Sequence, residues 1–208
     1  MITNINQLDL NKVYSYADYL SWMFDERVEL IKGKIMKMSP APSRRHQGIS
    51  SRIHILIGNH LFLNACSVYS APFDVRLPIS EDLKISTKYK KNAKKLPDGK
   101  IMTVVQPDLT VVCDPEKLDD RGCIGAPDLV VEILSPGNKH IELTDKFEIY
   151  QEASIKEYWI VYPDYEYVII YSLSKGSYVG SKPYTLADIM TSKVLKGIEI
   201  KVSDIFKE

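Results

Sequence analysis

The 208-residue chain predicts an α/β fold. Three observations carry it: an amphipathic stripe between Arg45 and Leu63, three segments rich in β-branched residues after it, and a second stripe from Glu142 to Ala153 that leads into the apolar run "EYWIVYP". In chain order this reads helix, three strands, helix, strand, the pattern of helices layered on a mixed sheet.

Each element has a local cause. Ser15 and Asp18 in "SYADYL" make a capping-box pattern, in which hydroxyl and carboxylate each satisfy an orphan backbone N–H, so a short helix is expected near residues 16–24. In "RVELIKGKIMKMSPAP" two apolar runs flank Lys32 and Gly33, which predicts an N-terminal hairpin with strands near 27–31 and 34–38, closed by the loop from Pro40 to Pro42. Ile49, Ile53, Leu56, Ile57 and His60 recur at helical spacing and form the face that packs on a sheet. "SVYSAPFDVRLP" (67–78), "TVVQPDLTVVC" (103–113) and "PDLVVEIL" (127–134) each read as a strand. Leu143, Phe147, Tyr150 and Ala153 form the buried stripe of the second helix. The fully apolar "EYWIVYP" belongs at the centre of a sheet with both faces covered. A C-terminal antiparallel hairpin follows about the turn from Ser174 to Gly176, and the tail from Ala187 adds peripheral structure.

With 45% hydrophobic residues, a chain of this length can bury the core of one domain spanning 1–208. Residues 80–102 are the exception: with Lys84, Lys88, Lys90, Lys91, Lys94, Lys95 and Lys100, the segment is too polar to pack and is expected to project. Lys plus Arg and Asp plus Glu both total 27, so overall charge points to no class of partner. Cys66, Cys113 and Cys123 are odd in number and lack metal-ligand spacing, which fits reduced thiols in a cytoplasmic protein and argues against structural zinc. No run approaches the ~18–20 apolar residues of a membrane span, and the N-terminus lacks the pattern of a leader, so a soluble protein is expected.

One residue does not fit its strand. Alternation in "DLVVEIL" puts Asp128, Val130, Glu132 and Leu134 on one face and Leu129, Val131 and Ile133 on the other; in "PDLTVVC" the same parity puts Asp108 on the face opposite Leu109 and Val111. If the strands are neighbours, Asp108 and Glu132 point the same way. An unpaired buried carboxylate costs several kcal/mol. Two readings stand open: Glu132 pairs with a nearby Lys or Arg on a partly wet face, or the two acids, with a backbone carbonyl and waters, hold a hard cation such as Mg²⁺ or Mn²⁺. Lys146, at the edge of the second stripe, either snorkels to solvent or holds its ammonium over the acids. Asp128 lies four strand residues from Glu132, about 13 Å at ~3.3 Å per residue, too far to share an ion, and reads as a strand-entry residue. Asp74 either faces the cleft or pairs with Arg76.

Taken together, "VVQPDLTVV", "APDLVVEILSP", "LTDKFEIYQEASIKEYWIVYP" and the upstream "VELIKGKIMKMSPAPSRRHQ" resemble the restriction-endonuclease-like family of the Uma-two type, within the PD-(D/E)xK nuclease superfamily, over about residues 14–205. The resemblance implies an αβββαβ core, which agrees with the order read independently. It also implies that Asp108 is the motif aspartate and Glu132 the acid of the (D/E)xK element. The chain departs from that motif at Leu134, where lysine belongs; Lys146, 146 − 132 = 14 residues beyond Glu132, is the matching position on the following helix. Glu29 and His46 match positions the family tends to hold near its site, although His46 reads equally as a helix-start residue.

The implied activity is a Mg²⁺- or Mn²⁺-dependent endonuclease that hydrolyses phosphodiester bonds, with DNA as the expected substrate. Lys88, Lys90, Lys91, Lys94 and Lys95 either grip phosphates or keep a loop solvated. Two alternatives stay open: an inactive nucleic-acid or protein binding module, favoured by Leu134, and a hydrolase of RNA or nucleotides. Cutting two strands with one small site calls for a symmetric pair, so a homodimer is expected.

Overall fold

The computed structural model describes residues 2–38, 41–79, 96–135 and 143–207. Ser15 caps α1 (Tyr16–Tyr19), and the Asp18 carboxylate accepts from the Ser15 N–H at 2.8 Å. The helix is shorter than its sequence suggests, because the chain turns to stack Trp22 on Phe24. β1 (Val28–Ile31) and β2 (Lys34–Lys37) form the expected hairpin about Lys32 and Gly33, whose φ of 49° and 77° suit a tight two-residue turn. α2 (Arg44–Leu61) follows.

The next two segments each break in two. The first gives β3 (Ser67–Ser70) and β4 (Val75–Leu77), the second β5 (Thr103–Val105) and β6 (Leu109–Val112). Pro72 and Pro107 stand at the breaks, where a residue without an N–H cannot serve a ladder. The halves enter different sheets, so among the described residues the mixed sheet is divided into two of six strands each. The first runs β2-β1-β5-β4-β8-β7, where β7 (Leu118–Asp119) and β8 (Gly122–Ile124) form a small hairpin that the sequence did not disclose. The second runs β12-β11-β10-β9-β6-β3, with β9 (Leu129–Ile133), β10 (Glu157–Tyr162), β11 (Tyr167–Ser174) and β12 (Ser177–Gly180). β10 is central, as its apolar run suggested, and pairs parallel to β9.

Helices cover both faces of the second sheet. Ile49, Ile53 and Ile57 of α2 pack on Leu109, Val111, Leu129, Val131 and Ile133. Ile149 and Tyr150 of α3 (Asp145–Glu152) pack on Val130, Leu134, Tyr158 and Ile160 of the other face, together with Val75, Leu77 and Val105 of the first sheet. The parity read from the two acidic strands therefore holds. Leu143 is exposed, and Lys146 takes its place in the buried stripe. The tail is not peripheral: β13 (Ile189–Thr191), β14 (Glu199–Lys201) and α4 (Val202–Phe206) place Met190, Ile200, Ile205 and Phe206 in the core under α2.

Two further expectations change. Cys66 and Cys113 form a disulfide across the β3–β6 pair, while Cys123 is a buried free thiol, so the reading of three reduced thiols does not hold. Of the lysine-rich segment, Leu96 and Ile101 are buried in a third core cluster around Leu30 and Val104, so its end is anchored to the core, while Pro97, Gly99 and Lys100 are exposed. Lys84, Lys88, Lys90, Lys91, Lys94 and Lys95 lie outside the described residues. No helix among the described residues is long and apolar enough to cross a membrane.

Candidate active site

The β6–β9 ladder pairs Leu109 with Val131, Thr110 with Val130 and Val111 with Leu129. Carried one rung further, that register sets Asp108 opposite Glu132, where side chains of an antiparallel pair start only ~5 Å apart. Asp108 Oδ2 accepts from the Ile133 N–H at 2.7 Å, which closes the end of the ladder and pins the carboxylate beside its neighbour.

Glu132 is 2% exposed, Lys146 2% and Glu29 4%. Lys146 Nζ stands 2.9 Å from Glu132 Oε1 and 3.0 Å from Glu29 Oε1, so one ammonium bridges the two sheets. Tyr150, one helical turn beyond Lys146, donates its hydroxyl to the same Glu132 oxygen at 2.6 Å. The Gln106 N–H donates to Glu29 Oε1 at 2.7 Å. Two buried carboxylates thus share one ammonium, an excess of negative charge. Burial pushes the Glu132 carboxyl up to about 7; Lys146 and the Tyr150 hydroxyl pull it down, whereas Asp108 and Glu29 raise it.

His46, in the first turn of α2, brings Nε2 within 3.3 Å of Asp108 Oδ2 and 3.1 Å of the Ile133 carbonyl oxygen. Burial opposes charge on this ring, but the hydrogen bond and charge of Asp108, the Ile133 carbonyl and Glu132 outweigh it, so its pKa lies above the usual imidazole value. His46 Nδ1 is buried without a hydrogen-bond partner. The His46 N–H also donates to the Ser43 cap at 3.2 Å, so the residue stands at the helix start and meets Asp108 at once. Asp108, Glu132, Lys146, Glu29 and His46, singled out from the sequence and carried by five separate segments, come together in one cluster.

Other acids separate from it. Asp128 accepts from the Cys113 N–H at 2.8 Å and from Lys156 at 2.6 Å, a strand-entry role as expected. Asp74 accepts from Gln106 Nε2 at 2.8 Å and from the Tyr16 hydroxyl at 3.1 Å, and Arg76 pairs with Asp119 at 2.5 Å, so the Asp74–Arg76 pair does not form. Tyr150 and Gln106 were not singled out from the sequence. The i, i+4 spacing from Lys146 could have found Tyr150; nothing local marks Gln106, whose backbone and side chain act on partners 77 and 32 residues away.

A cleft of about 480 Å³ opens on Asp108 and His46 and runs along α2 past Ser50, Ser51 and His54, with Arg27 and Ser70 also in its lining. It gives Asp108, whose side chain is 22% exposed, a route to solvent. Among the described residues no group of three or more His, Cys, Asp or Glu side chains stands ready to hold a metal ion.

Two mixed sheets flanked by helices, with acids at the end of a strand pair, define a restriction-endonuclease-like fold. A crystallised protein of Anabaena variabilis, described as a "putative nuclease belonging to DUF820", superposes with a TM-score of 0.65 over 92% of this chain and 97% of its own, at 17% identity. Residues 16–203 match the family described as "Uma2: Putative restriction endonuclease", and the chain belongs to that family. The uncharacterised protein slr1290 of Synechocystis is 29% identical over 150 residues, 71% of this chain and 67% of its own length.

Proposed function

We propose that this protein is a metal-dependent nuclease that hydrolyses phosphodiester bonds, with DNA as its substrate and a symmetric pair of chains as its working form. The observation that carries the reading is the position of Asp108 and Glu132, each one residue beyond the Leu109–Val131 rung that ends the β6–β9 ladder, with Lys146 held at 2.9 Å from Glu132.

The residues present fit a hard cation. The Asp108 and Glu132 carboxylates and the Ile133 carbonyl are an all-oxygen donor set, and the surplus negative charge around Lys146 is what a divalent ion would neutralise. Two protein carboxylates are few for Ca²⁺ but suit Mg²⁺ or Mn²⁺, which keep much of their water. When bound, the ion supplies Lewis-acid charge at the phosphoryl oxygens and acidifies water. The chain's own residues do the rest. Lys146 pulls the Glu132 pKa down against the cost of burial and places positive charge beside the position where the transition state gathers negative charge. Tyr150 holds the same carboxylate oxygen, leaving the other for the ion. His46 orients Asp108 through Nε2. Glu29 anchors Lys146 from the first sheet, which fixes the ammonium despite its displacement from the motif position now filled by Leu134.

The test is cleavage of supercoiled DNA with Mg²⁺ or Mn²⁺ by the wild type beside Asp108→Ala, Glu132→Ala and Lys146→Ala. Nicking should fall on the order of a hundredfold or more in the acid variants. Cleavage that persists unchanged in both contradicts the site, and DNA binding without turnover on any substrate favours the binding-module reading.

A further inference from the structure

Resting on the reading as a nuclease, we infer that the cleft along α2 is the track of the sugar–phosphate backbone next to the reacting phosphate, with Ser51, His54 and Arg27 as its phosphate contacts. The cleft begins at Asp108, so whatever reaches the acid from this side lies along α2. His46, Ser50 and His54 stand at four-residue intervals on one helix face, with Ser51 beside them. Eight residues at 1.5 Å span ~12 Å, the axial rise of about three to four nucleotides at 3.4 Å each.

The chemistry of the walls is that of a phosphate path. Beyond Asp108, the polar residues that line it are hydroxyls, an amide, imidazoles and a guanidinium, with no second carboxylate. Arg45, Arg76 and Arg121 each pair with an acid. Arg27, by contrast, has no carboxylate within ion-pair distance among the described residues. Gln106 Oε1 instead accepts from its Nε at 3.2 Å and Nη2 at 2.6 Å, which fixes the guanidinium by a neutral partner and leaves its charge uncompensated. The Ser70 hydroxyl meets His54 Nδ1 at 2.7 Å, which leaves Nε2 as the ring atom for a ligand. Such contacts position a strand without reading its sequence.

The test is fluorescence anisotropy of the full chain with short labelled DNA and RNA duplexes in EDTA, where no cutting occurs. Ser51 is exposed on the helix, and both Glu and Lys are good helix formers, so the fold tolerates Ser51→Glu and Ser51→Lys. Ser51→Glu should weaken binding about tenfold, and Ser51→Lys should tighten it and steepen the salt dependence by about one unit of slope. Arg27→Ala should weaken binding and make that slope shallower by about one. Unchanged thermal unfolding and Mn²⁺ binding in these variants separate the groove from the acid site. If both Ser51 variants bind as the wild type does, the cleft is not the track, and the nuclease reading survives. If the wild type binds neither duplex, that reading fails with it.

Discussion

Lys146 and Glu132 lie 14 residues apart on successive elements, yet their side chains meet at 2.9 Å inside the protein. The contact answers the question posed by Leu134. A lysine at 134 would share the strand face of Glu132, whereas Leu134 fills the core beneath Ile149 and Tyr150, and α3 delivers the ammonium from above. Because Lys146 also meets Glu29 at 3.0 Å, the ion cluster ties the two sheets together.

Lys146→Met strands two buried carboxylates. Loss of one member of such a cluster typically costs about 3–5 kcal/mol. Urea denaturation in EDTA at neutral pH should show a fall of that order relative to the wild type; an unchanged midpoint means that the cluster is solvated.

Glu132 makes stability depend on pH with a definite sign. Its folded pKa of about 7 lies above the ordinary 4.5, so between those values the native state keeps a proton that the unfolded chain has released. Stability is therefore highest at the acid side of this window and declines as pH rises through 7. In EDTA the wild type should lose about 2–3 kcal/mol relative to Glu132→Gln between about pH 5 and pH 8. Excess Mn²⁺ should recover much of it. Parallel pH profiles for the two proteins are the contrary result.

Asp108 sustains the charge on His46. Asp108→Asn keeps an acceptor for the Ile133 N–H but removes the carboxylate 3.3 Å from Nε2, leaving burial as the larger influence. The His46 pKa, followed by NMR of its ring protons, should drop below the usual imidazole value. A pKa that stays raised places its cause elsewhere.

The Cys66–Cys113 bridge closes 47 residues of chain, which corresponds to about 4 kcal/mol in the loop-entropy account. Mass spectrometry should find the linked peptides in unreduced protein, and dithiothreitol should lower the unfolding midpoint. Three alkylatable thiols in protein denatured without reductant contradict the bridge.

Much of the site was legible because strand parity is local. Asp108 and Glu132 each sit in a run whose apolar partners declare the other face, and the helical stripe of α3 runs through Lys146. What escaped the sequence depends on long-range partners. Pro72 and Pro107 marked the strand breaks, but not the assignment of the halves to two sheets. Cys66 and Cys113 become neighbours only once β3 lies on β6. Arg76 finds Asp119 in the β7–β8 hairpin, an element of only two and three residues with no periodicity to detect. Gln106 reads as a polar break, and its roles appear only when Glu29, Arg27 and Asp74 converge on it.

The central claim is that Asp108 and Glu132 together hold one divalent cation. Calorimetric titration of metal-free protein with Mn²⁺ at a pH above 7 tests it most directly, using the wild type, Asp108→Asn and Glu132→Gln. The wild type should bind, and each variant should weaken the ion by tenfold or more, since each removes one of two protein carboxylates. Binding of equal strength in all three proteins contradicts the account.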